Sequence, residues 1–187
     1  LAPHGLEGRV GDLVLAGVSL AREEARGSAW IAGSVGPLGP ALEPYGRLTI
    51  AAAYEAFRES VDALLAGGVD LLMLETFGHV EELLVAVAAA REARAAAGLP
   101  LPIVAQLACD RDALTLGKTP VGCAAWKLQD AGADVVGANC GVGPRPMLRC
   151  IQEMAAAVKA PLSAQPNAGL PEEVDGRLMY VSTPEYF

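Results

Sequence analysis

Residues 133–144 read ADVVGANCGVGP. The apolar run at 133–136 stops at a Gly-rich turn, and a helix-like stretch follows from Arg145. An apolar run that ends in turn residues and restarts as a helix is the βα joint of a parallel α/β fold. Cys140 stands on that turn. A structural thiol does not require such a place, because free Cys packs as a small hydrophobe. A metal ligand or a nucleophile gains from it. One cysteine cannot hold a metal alone, so its partners have to be sought elsewhere.

Outward from this joint the same pattern recurs. WIAGSVG (30–36), VDLLMLET (69–76), PIVAQLAC (102–109) and APLSAQPN (160–167) are short apolar runs bounded by turn residues. They are nearly continuous rather than alternating, which fits parallel strands covered on both faces. Helical periodicity fills the gaps. Ile50, Ala53, Tyr54, Phe57, Val61, Leu64 and Leu65 form one stripe, closed by Gly67 and Gly68. Val80, Leu83, Leu84 and Val87 form another, with Glu81 and Glu82 at its start, Arg91 and Arg94 near its end, and Gly98 as its stop. Val10 to Ala21 predicts an earlier helix, Thr119-Pro120 opens one that reaches Asp130, and Arg145–Lys159 carries the last. Strict alternation of strand and helix predicts a doubly wound sheet or a TIM (β/α)8 barrel. Eight strands usually take ~250 residues. With five strands, this chain is expected to hold an incomplete portion of a barrel. Composition does not shift along it, so residues 1–187 read as a single domain.

The chain has 187 residues, 52% hydrophobic and 19% charged, with a net charge of −8. That balance suits a soluble globular protein. It argues against nucleic acid and anionic membrane as partners, since both require clustered Lys and Arg. No apolar run is long enough to span a bilayer, and the uncharged stretch 95–109 is broken by Pro100 and Pro102. No signal peptide is visible, so the expected location is the cytoplasm. The four cysteines, Cys109, Cys123, Cys140 and Cys150, contain no CxxC spacing and are expected to be reduced. The chain begins with Leu and closes with STPEYF (182–187), a helix-start signature. Both ends therefore read as cuts.

Polar residues stand where the apolar runs stop: Ser34, Glu75-Thr76, Cys109-Asp110, Asn139-Cys140 and Asn167. In parallel α/β folds the carboxyl ends of all strands face one way, and sites form there. Each residue also has a plain structural reading. Glu75 can cap the next helix, Asn139 and Asn167 can close Asx-turns, and Cys140 can be buried. Cys123 and Cys150 lie mid-helix and are expected in the core, and Cys109 is open to either reading. His79 starts a helix and suits a capping or surface role. With two histidines in the chain, a His-rich metal site is excluded. LGKTP (116–120) imitates the tail of a phosphate-binding loop, but the motif requires Gly where Asp112 stands.

Taken together, AGSVGPLG (32–39), GVDLLMLETF (68–77), GADVVGANCGVGP (132–144), QPNAGLP (165–171) and GRLMYVSTPEYF (176–187) resemble the homocysteine S-methyltransferase family. The resemblance extends to the homocysteine-binding modules of methionine synthases and of enzymes joined to methylenetetrahydrofolate reductase. The resemblance implies a TIM barrel, here about strands three to seven, with zinc at its carboxyl rim. Cys140 matches the first of three zinc thiolates. The other two, an adjacent cysteine pair, are expected beyond the C-terminus, giving one Zn2+ per full-length chain. By the same resemblance Glu75 holds the ammonium of homocysteine. Asn139 and Ser34 are rim contacts to the substrate, and Asn167 fixes the loop after its strand. The methyl donor, or a donor-carrying domain, is the second partner, and any corrinoid or folate group is expected on other modules. A barrel lyase or aldolase of another family, or a truncated non-catalytic binding module, is the competing reading. On the resemblance, the 187-residue chain alone is expected to be metal-free and inactive. Metal content and methionine formation, measured on this chain and on an extended form, check that outcome.

Overall fold

The computed structural model describes residues 4–169 and 171–180, together with Thr183 and Glu185. A single 3-10 turn, Glu7–Arg9, leads into α1 (Val10–Ala25). The chain then alternates: β1 (Ala32–Val35), α2 (Ile50–Gly67), β2 (Leu71–Phe77), α3 (Val80–Ala97), β3 (Ile103–Leu107), α4 (Val121–Asp130), β4 (Val135–Asn139), α5 (Pro144–Ala157) and β5 (Leu162–Gln165). The strands form one sheet in the order β1-β2-β3-β4-β5, every neighbouring pair parallel. Sequential parallel neighbours with a helix at each crossover match the expected α/β architecture, a parallel sheet of the kind a TIM barrel contains.

Helix ends follow their sequence signals. The Thr49 hydroxyl caps α2 by accepting from the Ala52 N–H. Gly68 and Gly98 close α2 and α3 in the left-handed conformation, where a Cβ would be strained. Pro144 opens α5 at its first turn. No helix among the described residues is long and apolar enough to cross a membrane.

Strand periodicity divides the sheet into two faces. Ile31, Val35, Leu72, Leu74, Phe77, Ile103, Ala105, Leu107, Val136 and Ala138 point to the helices and form the core with Phe57, Leu83, Val87, Leu128, Met147 and Met154. The Phe57 and Phe77 rings meet at 5.8 Å between centroids, tilted by 50°. The other face carries Ser34, Met73, Glu75, Val104, Gln106, Gly137, Asn139 and Ser163. Strands β1 and β2 alternate there with partial exposure, whereas β3 is buried throughout. The apolar runs thus conceal an alternation: the helix-facing side is greasy, and the opposite side turns polar toward the carboxyl ends.

Two segments depart from the sequence reading. Residues 171–180, read without strands, form an antiparallel hairpin, β6 (Pro171–Val174) and β7 (Arg177–Tyr180). Its two-residue turn is Asp175-Gly176, both at positive φ (51° and 74°), the geometry that Asp-Gly favours between strands. Cys123, expected in the core, is exposed. The buried stripe of α4 runs through Val121, Ala124, Ala125 and Leu128, and leaves Cys123 on the outer face. The STPEYF signature at 182–187 falls largely outside the described residues.

The amino-terminal ends of the strands are latched by a repeated device. In GVD (68–70) and GAD (132–134) the aspartate precedes a strand. Asp70 accepts from the Ile31 N–H at 2.6 Å and from Arg22 of α1, and its own N–H returns to the Ile31 carbonyl at 2.8 Å. Asp134 accepts from the Ile103 N–H at 2.8 Å and from Arg94 of α3, and its N–H returns to the Ile103 carbonyl at 3.0 Å. Gln129 serves β5 similarly, its side-chain oxygen accepting from Lys159 and Ala160 N–H. The Ile31 N–H and then Arg22 hold the Asp70 carboxyl below its ordinary 3.8. A lowered folded-state pKa stabilises the fold in full above 3.8, and that contribution fades as pH falls through the depressed value. Asp70→Asn should therefore flatten the acid limb of a stability–pH curve. Ile103 is fully buried, so Asp134→Ala leaves its N–H without a partner. The expected loss is about 1–3 kcal/mol in urea unfolding.

Candidate active site

The carboxyl ends of β1, β2 and β4 bring the predicted residues together. Leu74 pairs with Ala105 and Phe77 with Leu107, so Glu75 and Thr76 together stand opposite Gln106. This is a β-bulge, and Thr76 takes its cost at φ 67°. A β-branched residue in that region is strained by roughly 1–3 kcal/mol and persists only where its surroundings hold it. Asn139 does the holding. Its side-chain oxygen accepts from the Thr76 N–H at 2.7 Å, and its amide nitrogen donates to the Thr76 hydroxyl at 2.7 Å. The same nitrogen donates to the Cys140 sulfur at 3.4 Å. Asn139 is 3% exposed, and its amide is engaged at both ends.

Cys140 leaves β4 at φ 56°, followed by Gly141 at 72°. Its N–H donates to the Gln165 carbonyl at 3.0 Å, which ties the turn to β5. A Cβ on Gly141 would lie 2.4 Å from the Cys109 carbonyl oxygen, so only glycine admits this close pass. The Asn167 N–H donates to the Val142 carbonyl at 3.0 Å and closes the following loop over the turn. The Ser34 hydroxyl donates to Glu75 Oε1 at 2.5 Å, orienting the carboxylate from β1. Ser34 is exposed, while Glu75 and Cys140 are half-buried. Thus Ser34, Glu75, Asn139, Cys140 and Asn167 share one end of the sheet. Asn139 and Thr76 are the bridge between the carboxylate and the thiol.

The other cysteines stand apart. Cys109 and Cys150 are fully buried on the helix-packed side, thiol against thiol. Burial pushes both thiols up. No group of three or more His, Cys, Asp or Glu among the described residues could hold a metal ion. The lysine of LGKTP is tied down: Lys118 Nζ donates to Asp110 at 2.9 Å, and Asp110 also accepts from the Asp112 and Leu114 N–H groups. Lys118 foremost, and then these N–H donors, lower the Asp110 carboxyl. His79 precedes α3 without capping it through its side chain.

Sequence reasoning passed over Thr76 and Gln106. Thr76 was visible only as the neighbour of Glu75. Gln106 is the lone amide in PIVAQLAC, and its place in the strand's alternation puts it on the same face as Glu75.

A family profile described as homocysteine S-methyltransferase matches residues 1–187. The chain is 30% identical over 177 residues to methionine synthase of Mycobacterium tuberculosis, covering 91% of this chain and 15% of that protein. It is 32% identical over 187 residues to the S-methylmethionine–homocysteine S-methyltransferase of Pongo abelii, covering 97% and 48%. The homocysteine methyltransferase MmuM of Escherichia coli, solved in its apo form, superposes with a TM-score of 0.70 at 24% identity, over 87% of this chain and 62% of that one. A metallated form of the same protein superposes at 0.69. A 2,3-dimethylmalate lyase, at 17% identity and a TM-score of 0.57, shares the fold alone. A parallel α/β chain with a carboxylate and a thiol at one rim, matched over its whole length, is defined as to class: it belongs to the homocysteine S-methyltransferase family. The chain spans less than half the length of these two curated relatives.

Thiol accessibility follows from the burial pattern. In the folded protein, Ellman's reagent should titrate Cys140 and Cys123 and leave Cys109 and Cys150 silent until denaturant is added. Mass mapping of the labelled peptides checks the assignment.

Proposed function

We propose that the protein carrying this chain transfers a methyl group to the thiol of homocysteine, giving methionine. The chain would supply strands three to seven of an eight-stranded barrel and form part of its substrate site as one domain, 1–187. The observation that carries this reading is the shared rim: Glu75, set by Ser34, and Cys140, set by Asn139, joined through Thr76.

Cys140 fits one position of a zinc site, because its thiol is half-buried, reachable and on a turn. Zinc sites take at least three protein ligands, so two further thiolates from outside these residues are part of the proposal. Zinc held by Cys140 and those thiolates would supply Lewis acidity that favours the thiolate form of the substrate thiol at neutral pH. The chain's own residues do the rest. Glu75 receives the substrate ammonium by a charge-assisted hydrogen bond. Ser34 keeps one carboxylate oxygen occupied, which turns the other toward the ligand. Asn139 acts mainly through Cys140, whose sulfur it donates to, and through Thr76, the neighbour of Glu75, whose bulge it holds. Asn167 closes the loop that shields the turn. The methyl donor is a sulfonium or a methylcorrinoid loaded from methyltetrahydrofolate, with any corrinoid or folate on another module, and the setting is cytoplasmic.

Two variants of the full-length protein test this. Cys140→Ser should abolish zinc binding and methionine formation together, and full activity in it would end the reading. Glu75→Gln should keep the metal and weaken homocysteine binding about ten- to a hundredfold, as expected for loss of a hydrogen bond to a charged group. Calorimetric titration of homocysteine, alongside metal analysis, measures both.

A further inference from the structure

Gln106 lies in the middle of β3, fully buried, on the face opposite the helices. In register it pairs with Gly137 of β4, and Gly137 pairs with Ser163 of β5. A Cβ on Gly137 would sit 2.0 Å from the Ser163 carbonyl oxygen, so β4 carries no side chain at this level. The Gln106 amide reaches past Gly137 to β5, its nitrogen donating to the Ser163 hydroxyl at 2.8 Å. With the nitrogen committed toward β5, the carbonyl oxygen is turned away from it. That oxygen is buried and has no hydrogen-bond partner among the described residues. Native structures leave few such groups, because a buried acceptor without a donor costs free energy.

The donor it lacks has a counterpart on the neighbouring strand. The pairing of Leu74 with Ala105 brings Glu75 opposite Gln106, and the Ser34 hydroxyl occupies Glu75 Oε1. No cation among the described residues pairs with Glu75. A buried carbonyl without a donor and a half-buried carboxylate without a cation therefore stand at one level on adjacent strands. A primary ammonium brings three donors and one positive charge. We propose that Gln106 Oε1 and Glu75 together receive the ammonium of the amino-acid substrate, and that Gln106 makes the site select amino acids over thiols that lack the amine. This deepens the functional reading above and rests on it. Because Oε1 is covered in the free chain, reaching it takes a turn of the Gln106 amide or of Glu75 beside it. The buried carbonyl gains its donor when the ammonium arrives, so an amine-free ligand leaves it unsatisfied.

The test compares two ligands on the full-length protein by calorimetry: homocysteine and 4-mercaptobutanoate, the same thiol acid without the amine. Gln106→Leu and Gln106→Met should each weaken homocysteine about tenfold or more. Both should leave 4-mercaptobutanoate within about twofold, since a bond that ligand never makes cannot be lost. Equal weakening of both ligands, or of neither, overturns the inference. A second measurement leaves Gln106 intact: Glu75→Gln should retain part of the preference for homocysteine. Complete loss of preference in Glu75→Gln assigns the ammonium to Glu75 alone and overturns the role of Gln106. Methyl transfer is assayed separately on the unmodified protein. Its absence overturns the functional reading, whereas an unmoved ammonium preference in the Gln106 variants overturns this inference with that reading intact.

Discussion

The clasp between Asn139 and Thr76 is the interaction on which the rim depends. It spans from β4 to β2, passing over the end of β3, and engages a backbone N–H and a hydroxyl of one residue. Without it, a β-branched residue at positive φ would have every reason to relax into the regular ladder. Relaxation would shift the register of β2 by one residue beyond Leu74. In a strand a one-residue slip sends each side chain to the opposite face. Glu75 already faces the rim by the alternation that follows Leu74, and Phe77 returns to the helix-packed core because Thr76 is held by Asn139, which is buried and positioned by the strand that carries Cys140. The strand end beside the carboxylate and the turn that carries the thiol are therefore tied by one side chain.

Much of this was legible in the sequence, and the limits are physical. The strands could be placed because their helix-facing residues are apolar without interruption, as in VDLLMLET and ADVVGANC. The rim residues could be found because polar side chains interrupt those runs at one end. The bulge could not be read. Thr has a strong preference for extended backbone, and its left-handed conformation is imposed from β4, sixty-three residues away. Gln106 was hidden for the opposite reason. A single amide in a buried strand looks like tolerated polarity until its partners are known.

Two local signals were available and went unused. Asp175-Gly176 between PEEV and RLMY is the composition of a two-residue hairpin turn. In α4, Cys123 and Trp126 lie three apart and off the stripe Val121, Ala124, Ala125, Leu128, so their exposure follows from helical spacing alone. Apolar neighbours in sequence are a poor guide on a helix whose outer face is itself apolar.

The paired aspartates at the other end of the strands have a wider consequence. Asp70 and Asp134 fasten the sheet at its amino-terminal edge, while Glu75 and Cys140 stand at the far ends of the same strands. One strand thus serves two masters separated by its own length. Changes at the rim leave the fastening untouched, and changes at the fastening are judged by folding alone. A lineage built this way can remodel its rim and still inherit the same lower edge.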